Sequence, residues 1–149
     1  MVKLRSGAFR RVARSGLPIR VLIADDNELF AKTLEAMLAG EQRIELVGIA
    51  QHGQDAVELA EALQPDVVLM DISMPVLDGF GATRMLKELG NDARVLVLTA
   101  SGEYGDADRA LREGAYGYLT KDRIASELVP AVLHIAGVQA DASLTAASG

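Results

Sequence analysis

A chain of 149 residues, half of them hydrophobic, is long enough to bury a core as one domain and too apolar to stay disordered. It has no cysteine, which excludes disulfides, thiolate metal sites and cysteine nucleophiles, and its two histidines, His52 and His134, are too far apart in sequence to suggest a histidine-rich metal site. The formal charge of −6 is uneven: residues 1–20 carry six bases and no acid, so all 21 acids lie in the body, which does not suit a binder of phosphate backbones.

The chain opens with that basic head, residues 1–18, holding Lys3, Arg5, Arg10, Arg11 and Arg14. Such a segment could touch nucleic acid or an anionic surface; the expectation is a solvated tail. It lacks the apolar run of a secretion signal, and no later segment reaches transmembrane length, so a cytoplasmic protein without membrane contact is expected. A first apolar, β-branched run at Val21–Ala24 is followed by helical spacing at Phe30, Leu34 and Met37. A second run, Ile44–Ala50, precedes Ala56, Ala60 and Leu63 at the same spacing; a third, Val67–Met70, precedes Ala82, Leu86 and Leu89. A fourth run, Val95–Leu98, leads to a short helix over about 106–113 that Gly114 would cap. A weaker fifth run, Tyr116–Leu119, leads to Leu128, Val132 and Ile135, a helix ending near Gly137 in which Pro130 must cost a hydrogen bond or shift the start.

Five strands alternating with five helices imply parallel strands joined by right-handed crossovers. Runs that are apolar throughout fit a sheet covered on both faces. The expected fold is therefore a doubly wound five-stranded parallel α/β domain over residues 19–137, with strand order 2-1-3-4-5. The tail VQADASLTAASG, residues 138–149, reads as polar linker or disorder.

Ligands of such sheets bind beyond the carboxyl ends of the strands, where the order reverses. Asp25 and Asp26 follow the first strand, Asp71 the third, Thr99 the fourth and Lys121 the fifth. With strands one and three adjacent, the three carboxylates converge, flanked by Thr99 and Lys121. Three close carboxylates repel, which raises the pKa of at least one unless a cation intervenes. Mg²⁺ suits them, since it takes one or two carboxylates and leaves positions for water and phosphate oxygens. Asp71 is then a candidate nucleophile, able to carry a phosphoryl group covalently. Lys121 and the Thr99 hydroxyl would stabilise charge on that group. Each residue alone has a plainer reading: the acidic pair as a cap, Asp71 as a turn former, Thr99 as structural, Lys121 as solvated. Their conjunction at four strand ends is what favours a site.

At these residues the chain resembles the receiver domains of two-component response regulators. The likeness rests on ADD (24–26), DISMP (71–75) with Asp78-Gly79, LTA (98–100) and GYLTK (117–121). It implies that Asp71 accepts a phosphoryl group from a histidine kinase or a phosphotransfer protein. Asp26 would be a direct Mg²⁺ ligand, Asp25 would act largely through water, and Ser73 would offer its backbone carbonyl. Thr99 and Tyr118 would form a switch pair that reshapes the face of the fourth helix, fifth strand and fifth helix, with a phosphorylation-controlled homodimer as one consequence. A plain core aromatic is the other reading of Tyr118.

Two features depart from the common pattern. Asp122 stands where many receivers have proline, and the Lys-Asp pair resembles the subfamily whose receivers precede helix-turn-helix DNA-binding domains. The remaining tail is too short for such a module, so no direct DNA binding is expected of this chain; a single-domain receiver and the receiver part of a longer regulator both stay open. The basic head has no role in the family. A haloacid dehalogenase-type phosphatase is disfavoured because the position two after the nucleophile is Ser73, not an acid. A flavodoxin-like flavin binder is disfavoured because ADDNE would repel a phosphate. An unphosphorylated receiver-like interaction module is the remaining alternative, against which the complete acidic, Thr and Lys set speaks. The expected activity is self-modification and slow self-hydrolysis, not turnover of an external substrate.

Overall fold

The run Val67–Met70 is apolar at every position because its two faces serve two cores. Side chains of a strand alternate, so Val67 and Leu69 pack in one cluster and Val68 and Met70 in the other. The same holds one strand over, where Val21 and Ile23 face one side and Leu22 and Ala24 the other.

In the computed structural model, residues 2–5, 16–100 and 105–138 are described. Their order is β1 (Val2–Leu4), β2 (Ile19–Ala24), α1 (Glu28–Ala39), β3 (Ile44–Ala50), α2 (Gly53–Leu63), β4 (Val67–Asp71), α3 (Gly79–Glu88), β5 (Arg94–Thr99), α4 (Asp106–Arg112), β6 (Gly117–Thr120), a 3-10 turn (Lys121–Arg123) and α5 (Ile124–Ile135). The sheet order is β1-β6-β5-β4-β2-β3. The strands β2 to β6 are parallel and reproduce the expected 2-1-3-4-5 arrangement.

Helices α1 and α5 cover one face through Leu34, Leu38, Leu128, Val132 and Ile135. Helices α2, α3 and α4 cover the other through Ala56, Ala60, Phe80, Leu86, Ala107 and Ala110. Pro130 lies inside α5, exposed, in a helix that starts six residues earlier at Ile124. Gly114 and Gly137 close their helices at φ 110° and 78°, as the glycine positions imply. Among the described residues no helix is long and apolar enough to cross a membrane.

The head differs from the solvated tail expected of it. The sheet has a sixth strand, because Val2–Leu4 pairs antiparallel with β6. Residues 2–5 are thus part of the folded domain rather than solvated tail. Arg10, Arg11, Arg14 and the tail beyond Val138 lie outside the described residues.

Candidate functional site

Chain direction reverses between β2 and β4. From β2 the chain crosses by α1 to β3 on one side, then returns past β2 through α2 to β4 on the other. The carboxyl ends of β2 and β4 therefore flank an open crevice.

Asp25 leaves β2 with its N–H donating to the Ala50 carbonyl at 3.0 Å. Its side chain is only 2% exposed. Oδ1 accepts the Asn27 N–H at 2.8 Å, and Asn27 in turn accepts the Phe30 N–H at 3.0 Å to cap α1. One turn thus fixes both the acid and the helix start. The other oxygen of Asp25, Oδ2, is buried without a hydrogen-bond partner. Asp26, next in the chain, is exposed.

Asp71 is the last residue of β4 and 4% exposed. The turn after it is drawn back by two hydrogen bonds: Ile72 N–H to Leu98 O at 3.1 Å, and Gly79 N–H to Ile72 O at 2.8 Å. A Cβ on Gly79 would lie 2.2 Å from the Asp71 carbonyl oxygen. Only glycine lets α3 start this close to the acid. Within the turn, Val76 is 90% exposed at φ 70°, a left-handed conformation that costs roughly 1–2 kcal/mol for a residue with a Cβ. Ser73 is exposed in the same turn.

Asp25, Asp26 and Asp71 each place a carboxylate oxygen within 4.8 Å of the other two. Lys121, just past β6, reaches back with Nζ 3.0 Å from Asp71 Oδ1 and 3.5 Å from Asp25 Oδ2. The ammonium also sits 4.0 Å from the centroid of the Phe30 ring, a favourable cation–π distance. Burial pushes the Asp71 carboxyl above its usual range; the Lys121 hydrogen bond opposes this, and the charges of Asp25 and Asp26 push it further up. One ammonium against three carboxylates leaves the cluster negative. A buried oxygen that accepts no hydrogen bond, beside two further carboxylates, belongs to a donor set that fits a hard divalent cation.

Thr99 ends β5 and is buried, opposite Thr120 of β6. Tyr118 is fully buried in the core beneath α3 and α4. The four acid and lysine positions expected from the strand ends are thus brought together, with Thr99 at the end of the adjoining strand and Tyr118 one strand further out. Phe30 carried no sign of its place: its spacing marks a helix face, and its contact with Lys121 exists only after β6 and α1 are assembled.

Comparisons with known proteins agree with this geometry. The response regulator receiver domain family matches residues 21–133. The chain is 41% identical over 118 residues to the transcriptional regulatory protein DegU of Brevibacillus brevis, covering 79% of this chain and 50% of that protein. It is 39% identical over 117 residues to the response regulator GacA of Pseudomonas aeruginosa, covering 78% and 55%. The chain therefore spans about half the length of these curated relatives. Among solved structures, the signal receiver domain of the response regulator NarL from Mycobacterium tuberculosis superposes with a TM-score of 0.79 at 35% identity, covering 83% of this chain and 99% of that one. With its sheet order, its acidic crevice and these matches in accord, the chain belongs to the response regulator receiver domain family.

Proposed function

We propose that this receiver domain is switched by phosphorylation of Asp71. The observation that carries the reading is the buried Asp71 carboxylate, 3.0 Å from the Lys121 ammonium and beside the Asp25 oxygen that accepts no hydrogen bond. A phosphohistidine on a histidine kinase, or on a phosphotransfer protein, supplies the group. An Asp71 oxygen attacks phosphorus, the phosphorus–nitrogen bond breaks, and the electron pair returns to the imidazole, which takes up a proton. The product is an acyl phosphate, later hydrolysed by water. The domain modifies itself and does not turn over an external substrate.

Asp25, Asp26, Asp71 and the Ser73 carbonyl would hold Mg²⁺, which offsets the carboxylate repulsion and the charge of the incoming group. Lys121 pairs with the phosphoryl oxygens from the opposite side, held at the crevice by Phe30. Thr99 donates its hydroxyl to the same group. The phosphoryl group brings a charge of about −1.5 to −2 and new acceptors, so it favours the conformer in which Thr99 and Lys121 close on it. Tyr118, buried behind Thr99 on the neighbouring strand, transmits that shift to the face formed by α4, β6 and α5. The relatives named as transcriptional regulators support a role as the input of such a regulator in the cytoplasm. An altered α4–β6–α5 face is where a second copy or an output segment would read the state.

The cation site has its own test. Ligand that binds only the folded state stabilises it by RT ln(1 + [L]/Kd), about 1.4 kcal/mol at tenfold excess over Kd. Titrating Mg²⁺ into the chain should raise its Tm by a few degrees in a saturable way, and Asp26→Ala should remove the response. An unchanged Tm in the wild type, or an equal rise in the variant, would contradict the assignment.

A further inference from the structure

Strand β1 fills a groove that is shaped for it. It runs antiparallel to β6 with Val2 opposite Leu119, Lys3 opposite Tyr118 and Leu4 opposite Gly117. The Arg5 N–H extends the pairing to the Tyr116 carbonyl at 2.8 Å. Its sequence VKLR alternates, and each face meets a matching wall. Val2 and Leu4 pack on the core covered by α5. A Cβ at Gly117 would lie 2.5 Å from Leu4 Cδ2, with Leu96 and Ile135 side chains at 3.0 and 3.2 Å, so the missing side chain of Gly117 makes the hole that Leu4 fills.

The polar face addresses α4. Lys3 Nζ pairs with Asp108 Oδ1 at 2.7 Å. Arg5 donates from Nε to Ala115 O at 2.8 Å and from Nη2 to Leu111 O at 2.6 Å, capping carbonyls at the end of α4. Without this strand β6 would present an open sheet edge, a template for any extended chain.

The strand that pairs with β1 leads directly into the acidic crevice. Lys3 lies opposite Tyr118, and three residues further along the same strand path Lys121 contacts Asp71. β1 thus rests on β6 and α4, two of the elements whose face is proposed above to change on phosphorylation. We propose that residues Val2–Arg5 are a detachable strap, occupying a docking groove between α4 and α5 for an extended, alternately apolar and basic strand, and that docking of the strap and phosphorylation of Asp71 oppose one another. The linkage rests on the function proposed above; the groove and its occupant do not.

Two readouts on the full chain separate them: intact mass, and amide hydrogen exchange of the N-terminal segment, before and after incubation with Mg²⁺ and a small-molecule phosphoryl donor. The unmodified protein should protect the strap. The phosphorylated protein should exchange there about tenfold faster or more. Leu4→Asp should exchange fast from the outset and, by reciprocity, reach a higher phosphorylated fraction at steady state. Lys3→Glu, an exposed change that repels Asp108, should act in the same direction if Leu4→Asp does not fold. A gain of mass with unchanged exchange overturns the linkage while leaving the phosphorylation reading intact. No gain of mass overturns the functional reading and the linkage with it. Equal exchange of the strap in the wild type and both variants overturns the groove assignment itself.

Discussion

Replacing Lys121 with methionine should slow phosphorylation of Asp71 by about 10²- to 10³-fold, the loss typical of removing one preorganised electrostatic donor from a transferring group. Methionine keeps much of the apolar stem and deletes the charge that faces Phe30 and the two acids. The charge has no substitute among the described residues: Lys121 is the one cation in ion-pair distance of Asp25 and Asp71. Its loss also removes the positive charge that offsets carboxylate repulsion around Asp71, leaving that to a bound cation. The rate is read as mass gained per unit time from a small-molecule donor. Wild-type rate in a folded Lys121→Met chain would contradict the role given to the lysine.

The second large effect is on the backbone that carries the acceptor. Gly79→Ala should destabilise the chain by about 3 kcal/mol, the upper range for overpacking, and lower its Tm by roughly 6–12 °C. The added Cβ would meet the Asp71 carbonyl oxygen at 2.2 Å and the Ile72 Cα at 2.9 Å. Both are backbone atoms, so no rotamer change relieves the clash. The start of α3 must retreat, with loss of the Gly79 to Ile72 hydrogen bond, and Asp71 shifts with it. Gly81→Ala is the matched control. Its Cβ would crowd just the end of the Leu77 side chain at 2.7 Å, which can turn away, with Asp78 Oδ1 at an ordinary 3.5 Å, and alanine is the better helix former by about 1 kcal/mol. Thermal unfolding of the two variants should therefore differ clearly. Equal stability would mean that the close approach of α3 to Asp71 is not a constraint.

What could be read in the chain and what could not follows from the range of each signal. A strand buried on both faces advertises itself by a continuous apolar run, and Val67–Met70 did so. Parallel topology then carries the residue after each strand to one edge of the sheet, which is why Asp25, Asp26, Asp71 and Lys121 meet as expected. Element ends moved by a residue or two, as for β5, which extends beyond Val95–Leu98 to Arg94 and Thr99. The three-residue strand β1 is masked by the basic charge that surrounds it in the head. The alternation in VKLR is short, and its partners, Gly117 and Asp108, are more than 100 residues away in sequence. Gly79 was visible as part of a motif, but the reason for it, contact with the Asp71 carbonyl, needs the turn to be built. Tyr118 is equally at home in a core and in a switch, and its burial is compatible with both.

The most direct test of the central claim is the intact mass of the chain after incubation with Mg²⁺ and a small-molecule phosphoryl donor, beside Asp71→Asn and a sample without divalent cation. The wild type should gain one phosphoryl group and neither control should gain any. A folded wild-type chain that gains nothing, or an Asp71→Asn chain that gains as much, would contradict the claim.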